Sequence, residues 1–360
     1  MYKIKNGLLQ VISLYSLLIY SLLFFVNEEV YFSNLNLPNL DLLLVVPIIH
    51  YFQNLMYGRR IHKNELYLIP PIIIALISIL ITGDIEFFYP LISLLLTIRL
   101  TKDLNFSILT IIKIYLLFNY SYILLNFLFV SGISSYYILE PHVFNIYSSI
   151  STEFRLTTST IFFNSNAAGA AHAVTYLLIY NLSNKNYLFK FLIGVLIFLS
   201  GSLSAILFIF FIEVKKYLEL RKHSKIILFY FVLLSFFMVL LILTLLDLNP
   251  IGLTTRISRI SAFFLHIFSN PITILVPNYI INGSFYTESS LLDLFLYFSI
   301  YIFPLIYIIY KSKARLFLFY FFLTSASFTI YTALIIALLI NYEPNEIFNK
   351  TRRLSQKPAF

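Results

Sequence analysis

Apolar runs of about twenty residues recur along the whole chain, separated by short polar breaks, and this pattern constrains the fold more than any other feature. About 20 apolar residues, wound as helix, cross the hydrocarbon core of a bilayer. In lipid, such a run satisfies its backbone N–H and C=O groups only as a helix or as part of a closed barrel. The runs fall near 8–26, 40–56, 66–82, 87–98, 106–130, 166–181, 187–199, 203–218, 226–246, 291–310 and 316–340. At 60% hydrophobic, 11% charged and a mean hydropathy of +0.88, the 360 residues fit no soluble domain. The sequence therefore predicts an all-α, polytopic integral membrane protein, a single transmembrane domain of about 11–12 helices. Two long polar stretches, 131–165 and 247–290, read as loops. The first run is a full span without a small-residue cleavage site, so no cleavable signal peptide is expected.

Charge sets the orientation. The net charge of +9 would suggest nucleic acid in a soluble protein, but here its distribution argues for membrane topology and no nucleic-acid partner. With the N-terminus in the cytoplasm, inner connectors receive 17 of the 25 cations, including Arg59, Arg60, Lys63, Arg99, Lys102, Lys185, Lys190 and the cluster over 215–225. Outer connectors receive 3: Arg155, Arg256 and Arg259. Lys113 lies within a run and is expected to snorkel inward. The Ile, Leu, Phe, Asn and Lys bias is that of an AT-rich bacterial genome, so the expected location is a bacterial plasma (inner) membrane with the working face outside. Lys350, Arg352, Arg353 and Lys357 argue for a cytoplasmic tail. That requires 316–340 to cross twice, turning at 324–327, although 25 helical residues reach only about 37 Å. Eleven and twelve spans both stay open. Cysteine is absent, which excludes disulfides and thiolate chemistry.

Three features of the outer stretches can carry chemistry. In 247–290, Arg256, Arg259 and His266 share one stripe if 255–269 is helical, with Ile257, Ile260, Phe264, Ile267 and Phe268 beside it. Such Arg forks bind phosphate or carboxylate in a bidentate way; the alternative is a helix lying on lipid headgroups. Orientation disfavours Arg outside, so those that remain there point to a task. Glu288 and Asp293, at the mouth of the next span, read as a base, as partners of the Arg residues, or as acids favoured by a helix N-terminus. Arg155 reads as an anion ligand or as a partner of Glu153. After it come Asn164 and Asn166, the latter a candidate helix cap, small residues over 167–171 suited to close packing, and His172. That histidine, inside a span, is a functional candidate or a hydrogen-bonded packing residue. Ser200-Gly201-Ser202 reads as a tight hairpin between two spans.

Taken together, three stretches resemble the O-antigen/capsular polysaccharide polymerase (Wzy-like) family, within the superfamily that also holds the O-antigen ligases. Arg155 followed by Phe162-Phe163-Asn164-Ser165-Asn166 is similar to that family's Arg and Phe-x-Asn-Pro-Asn segment, with Ser165 where Pro is usual. Leu199-Ser200-Gly201-Ser202-Leu203-Ser204-Ala205 is similar to its Leu-Thr-Gly-Ser-Arg-x-Ala segment, with Leu203 in place of Arg. Arg256, Arg259, Asn270-Pro271 and Glu288-Ser289-Ser290 look like its large outer loop; the His-Asn usual in ligases is absent. The resemblance covers roughly 151–310.

It implies a metal-independent glycosyltransferase without cofactors. The substrate would be an undecaprenyl-diphosphate-linked oligosaccharide, and the partners membrane lipid, a chain-length regulator and a flippase. Arg155, Arg256 and Arg259 would hold the diphosphate, and Glu288 or His266 would serve the acceptor hydroxyl. The other readings are an O-antigen ligase and a lipid-linked oligosaccharide flippase. A flippase should show internal repeats and several midplane charges; the sequence has no such repeat.

Overall fold

The computed structural model describes residues 2–28, 42–57, 60–83, 85, 87–101, 108–130, 145–148, 154–157, 165–182, 186–200, 202–219, 251–277, 289–324 and 328–341. Its helices are α1 (Tyr2–Glu28), α2 (Leu42–Met56), α3 (Lys63–Leu66), α4 (Ile69–Thr82), α5 (Phe88–Thr101), α6 (Ile108–Val130), α7 (Ser165–Leu182), α8 (Tyr187–Leu199), α9 (Leu203–Glu219), α10 (Ile251–Ser269), α11 (Ser290–Phe298), α12 (Phe303–Lys311), α13 (Arg315–Leu323) and α14 (Ile330–Asn341). Each apolar run with described residues is mainly helical over them, with turn or irregular backbone at 67–68, 87, 324 and 328–329; 226–246 lies outside the described residues. Lys63–Thr82 and Ser290–Lys311 are long and apolar enough to cross a bilayer by length and composition. Within 131–165 the chain also pairs two short antiparallel strands, β1 (Asn145–Ser148) and β2 (Phe154–Thr157), in the register Tyr147↔Arg155.

Proline and glycine set the breaks. Pro70 and Pro71 open α4, where a missing N–H costs nothing. Gly83 closes it at φ 74°, donating its N–H to the Ile79 carbonyl at 3.0 Å, a left-handed cap that suits glycine. The run 291–310 is not one continuous α-helix, as its hydropathy suggests, but α11, a 3₁₀ turn over Ser299–Ile302, and α12. Pro304 is the reason: its ring would clash with the carbonyl of residue 300 in an unbroken helix. The run 316–340 likewise divides into α13 and α14, with a non-helical stretch between.

A single buried core runs from Leu14 to Leu339. At its centre α14 lies parallel to α5: the Ser93 hydroxyl donates to the Ile330 carbonyl at 3.2 Å, and the Asn341 side-chain amide to Ile98 O and Thr101 Oγ1 at 2.7 and 2.9 Å. Nearly all of α14 is buried, so its sequence shows no polar face. Antiparallel to α5 runs α1: Gln10 donates to Leu100 O at 2.6 Å, and Tyr20 meets Tyr89. The bundle thus has an Arg99 end, holding Gln10, Glu65 and Asn341, and an opposite Phe87 end.

Two cations assigned above to connectors are buried within helices. Arg99, on α5, is 4% exposed and bonds Glu65 at 3.1 Å and the Arg60 carbonyl at 2.9 Å. Lys190, on α8, meets Glu213 at 2.7 Å, with Tyr176 donating to the same oxygen and the Tyr176 and Tyr180 rings beneath the ammonium. A cation can be buried in apolar surroundings when an acid meets it there. Removing both from the 17 leaves 15 against the 3 outer cations, so the bias keeps its sign. Lys113 sits on an exposed face of α6, near its first turns.

Candidate functional site

The small-residue start of α7 approaches the turn between α8 and α9 very closely. A Cβ on Gly169 would stand 2.3 Å from Ser202 Oγ, 2.5 Å from Ser202 Cβ and 3.0 Å from the Tyr320 hydroxyl. Only glycine permits this approach. Ser202 precedes α9, and its carbonyl accepts the Ala205 and Ile206 N–H groups at 3.1 Å. Tyr320, on α13, is fully buried and packs on Phe208 of α9 with ring centroids 5.2 Å apart. One turn on, the Thr324 hydroxyl bonds back to the Tyr320 carbonyl at 3.0 Å. The Thr324 carbonyl accepts the N–H of Ser290, first residue of α11, at 2.6 Å.

The starts of α7, α9 and α11 therefore gather around the last turn of α13. Phe87 packs on Tyr297 and Phe298 at the end of α11 and Tyr67 on Tyr307 of α12, so the segment runs from the Phe87 end toward the Arg99 end and its start, with this junction, lies on the Phe87 side. First-turn N–H groups have no partner within their own helix, and the dipole makes each start electropositive. Helix starts brought together in this way suit an anion.

Against α11 lies α10. Phe263, 4% exposed, meets Phe295 at 6.0 Å and 73°, and Phe295 meets Phe303 at 5.9 Å. Arg259 and His266, four residues before and three after Phe263, are half-buried on this same side. Phe264, Leu265 and Phe268 are 49%, 69% and 78% exposed. Arg259 and His266 thus flank the buried Phe263, and Ile260 and Ile267 are half-buried as they are, whereas Phe264 and Phe268 stand exposed. Beyond α10, a 3₁₀ turn over Pro271–Ile274 buries Thr273.

The other candidate residues are placed as follows. Arg256 lies one turn before Arg259 in the backbone of α10. Asp293 is half-buried in the first turn of α11, its N–H donating to Ser289 O at 2.8 Å. That position is electrostatically favoured at a helix start. Arg155 stands on β2 opposite Tyr147. Asn166 is the second residue of α7 and not its cap, because the helix already begins at Ser165. Asn164 and Glu288 lie outside the described residues. His172 is fully buried, hydrogen-bonded through Nδ1 to Tyr115, whose ring stacks on Tyr331 at 4.6 Å. Thr175 bonds Tyr331 at 2.9 Å, so His172 belongs to a polar cluster inside the core, which favours its packing reading. Tyr320 carries no signal in the sequence, since nothing in a run of Phe, Tyr and Leu distinguishes it, and Thr324 is legible only as the start of the turn at 324–327.

No protein-family model, curated protein or solved structure matches this chain.

Proposed function

We propose that this chain is an integral membrane glycosyltransferase of bacteria that joins lipid-diphosphate-linked oligosaccharide repeat units into O-antigen or capsular polysaccharide. The observation that carries this reading is the meeting of α7, α9 and α11 at one junction. Their starts are the three stretches, far apart in sequence, on which the resemblance to the polymerases rests. The half-buried Arg259 and His266 of α10, beside α11, support it further, because transfer from a lipid diphosphate needs stabilisation of the departing phosphate charge more than covalent help. In this reading the Phe87 end faces outward and the Arg99 end the cytoplasm, in keeping with the 15 cations against 3. Arg256, Arg259 and Arg155 hold the diphosphate, and His266, Glu288 or Asp293 serves the acceptor hydroxyl. The absence of the ligase His-Asn pair before α11 favours a polymerase over a ligase.

The test is the length of surface glycan. Losing a charge-assisted hydrogen bond to a leaving phosphate raises the barrier by about 2–4 kcal/mol, a rate loss of roughly 30- to 1000-fold. Arg256→Ala and Arg259→Ala should leave the protein at normal level and yield single-repeat glycan. Lysine keeps the charge without the planar fork, so the Lys variants should give shortened chains. Among His266→Ala, Glu288→Gln and Asp293→Asn, the variant of the true base should match the Arg→Ala defect. Wild-type chain lengths from both Arg→Ala variants would remove α10 from the site.

A further inference from the structure

Ser299, where the 290–311 segment breaks, has φ 52° and ψ −139°, the one non-glycine residue at positive φ among those described. A side chain is disfavoured there, and glycine would adopt this conformation without penalty. Serine differs from glycine by a hydroxymethyl group, and here its oxygen has a definite partner. Ser299, fully buried, donates through Oγ to the Thr273 carbonyl at 2.9 Å. Thr273 is the buried residue of the 3₁₀ turn after α10, and its hydroxyl donates to Asn270 O at 2.7 Å. The Asn270 N–H in turn donates to the His266 carbonyl at 2.9 Å. A chain of hydrogen bonds thus runs from the break to the last turn of α10. A second tie between α10 and the 290–311 segment is the Phe263–Phe295 ring contact, two turns away along α10.

We propose that Ser299 is a positioning residue whose hydroxyl latches α10 onto the broken segment and so fixes Arg259 and His266 beside α11. The latch rests on geometry; its consequence for glycan synthesis rests on the function proposed above. The break supplies the reach, since an unbroken helix would carry residue 299 on a different bearing. The hydroxyl supplies the tie.

The chain has no cysteine, so an engineered pair reports cleanly. Phe263→Cys with Phe295→Cys, treated in membranes with a short thiol-specific bifunctional reagent, measures how often α10 is seated on α11. Ser299→Gly and Ser299→Ala are then added separately. Glycine relieves the backbone penalty, so Ser299→Gly should be at least as heat-stable as its parent. It should nevertheless cross-link less, because one lost hydrogen bond lowers the seated-to-unseated ratio roughly fivefold. Ser299→Ala should lose cross-linking equally, with lower stability. In the cysteine-free background Ser299→Gly should shorten surface glycan. Cross-linking of Ser299→Gly at the parent level would overturn the latch. Reduced cross-linking with wild-type glycan would uphold the latch and count against α10 as part of the site.

Discussion

The Glu65 carboxylate and the Arg99 guanidinium meet at 3.1 Å although their side chains are only 1% and 4% exposed. The pair ties α3 to α5, and its remaining valences are used: Arg99 also reaches the Arg60 carbonyl, and Tyr51 donates to the second Glu65 oxygen at 3.4 Å. Taking away one partner of such a pair strands a buried charge, which costs about 3–5 kcal/mol. Replacing both by apolar residues avoids that penalty. Glu65→Leu and Arg99→Leu should each lower the melting temperature in detergent clearly, and the double variant should recover most of the loss. Additive losses in the double variant would mean that the two charges do not depend on each other.

Gly169 gives a second test. Its missing Cβ leaves room for Ser202 at distances no real Cβ shows. Gly169→Ala should destabilise by about 1–3 kcal/mol, the usual cost of overpacking. Ser202→Ala should rescue it poorly, because the Ser202 Cβ is itself 2.5 Å from the added methyl, whereas Ser202→Gly should rescue it well. Thermal melts of the three double and single variants decide. A fully stable Gly169→Ala would show that α7 can stand farther from α9.

The direction of α14 bears on the tail. Because α14 runs parallel to α5, Asn341 ends beside Thr101, at the same end as Gln10 and Arg99. A reporter fused after residue 341 should therefore behave as cytoplasmic, active as a fluorescent protein and silent as a phosphatase. Single cysteines should agree: an impermeant thiol reagent applied to whole cells should label Leu275→Cys and not Arg60→Cys. The opposite labelling would invert the orientation and remove the outward-facing site.

Much of the helical layout was legible because apolar runs bounded by Pro, Gly and charge admit few other folds. What misled the cation count was pairing across distance. Arg99 finds Glu65 34 residues away and Lys190 finds Glu213 23 residues away, and a buried, paired cation near the end of a run looks like a connector cation in sequence. The break at Ser299 has its cause in Pro304, but the left-handed turn that follows from it depends on tertiary contacts. The helix start at Ser165 shifted Asn166 from cap to first turn, a displacement of the kind that short polar stretches leave undetermined. The small residues over 167–171 announced close packing without naming the partner, since Ser202 and Tyr320 come from elsewhere in the chain.

The parallel seat of α14 beside α5 also dictates an order of events during synthesis. Ser93 and the Ile330 carbonyl that it bonds are 237 residues apart. At roughly 5–20 residues per second, a ribosome needs about ten to fifty seconds to make that interval. Throughout it, the face of α5 that will hold α14 has no permanent occupant, and α1 and α7, which also border that place, have no final neighbour there. A chain arrested before residue 330 is thus not a shortened version of this protein. It leaves the faces of α1, α5 and α7 that α14 covers without their partner, the kind of nascent species that quality-control proteases and chaperones select.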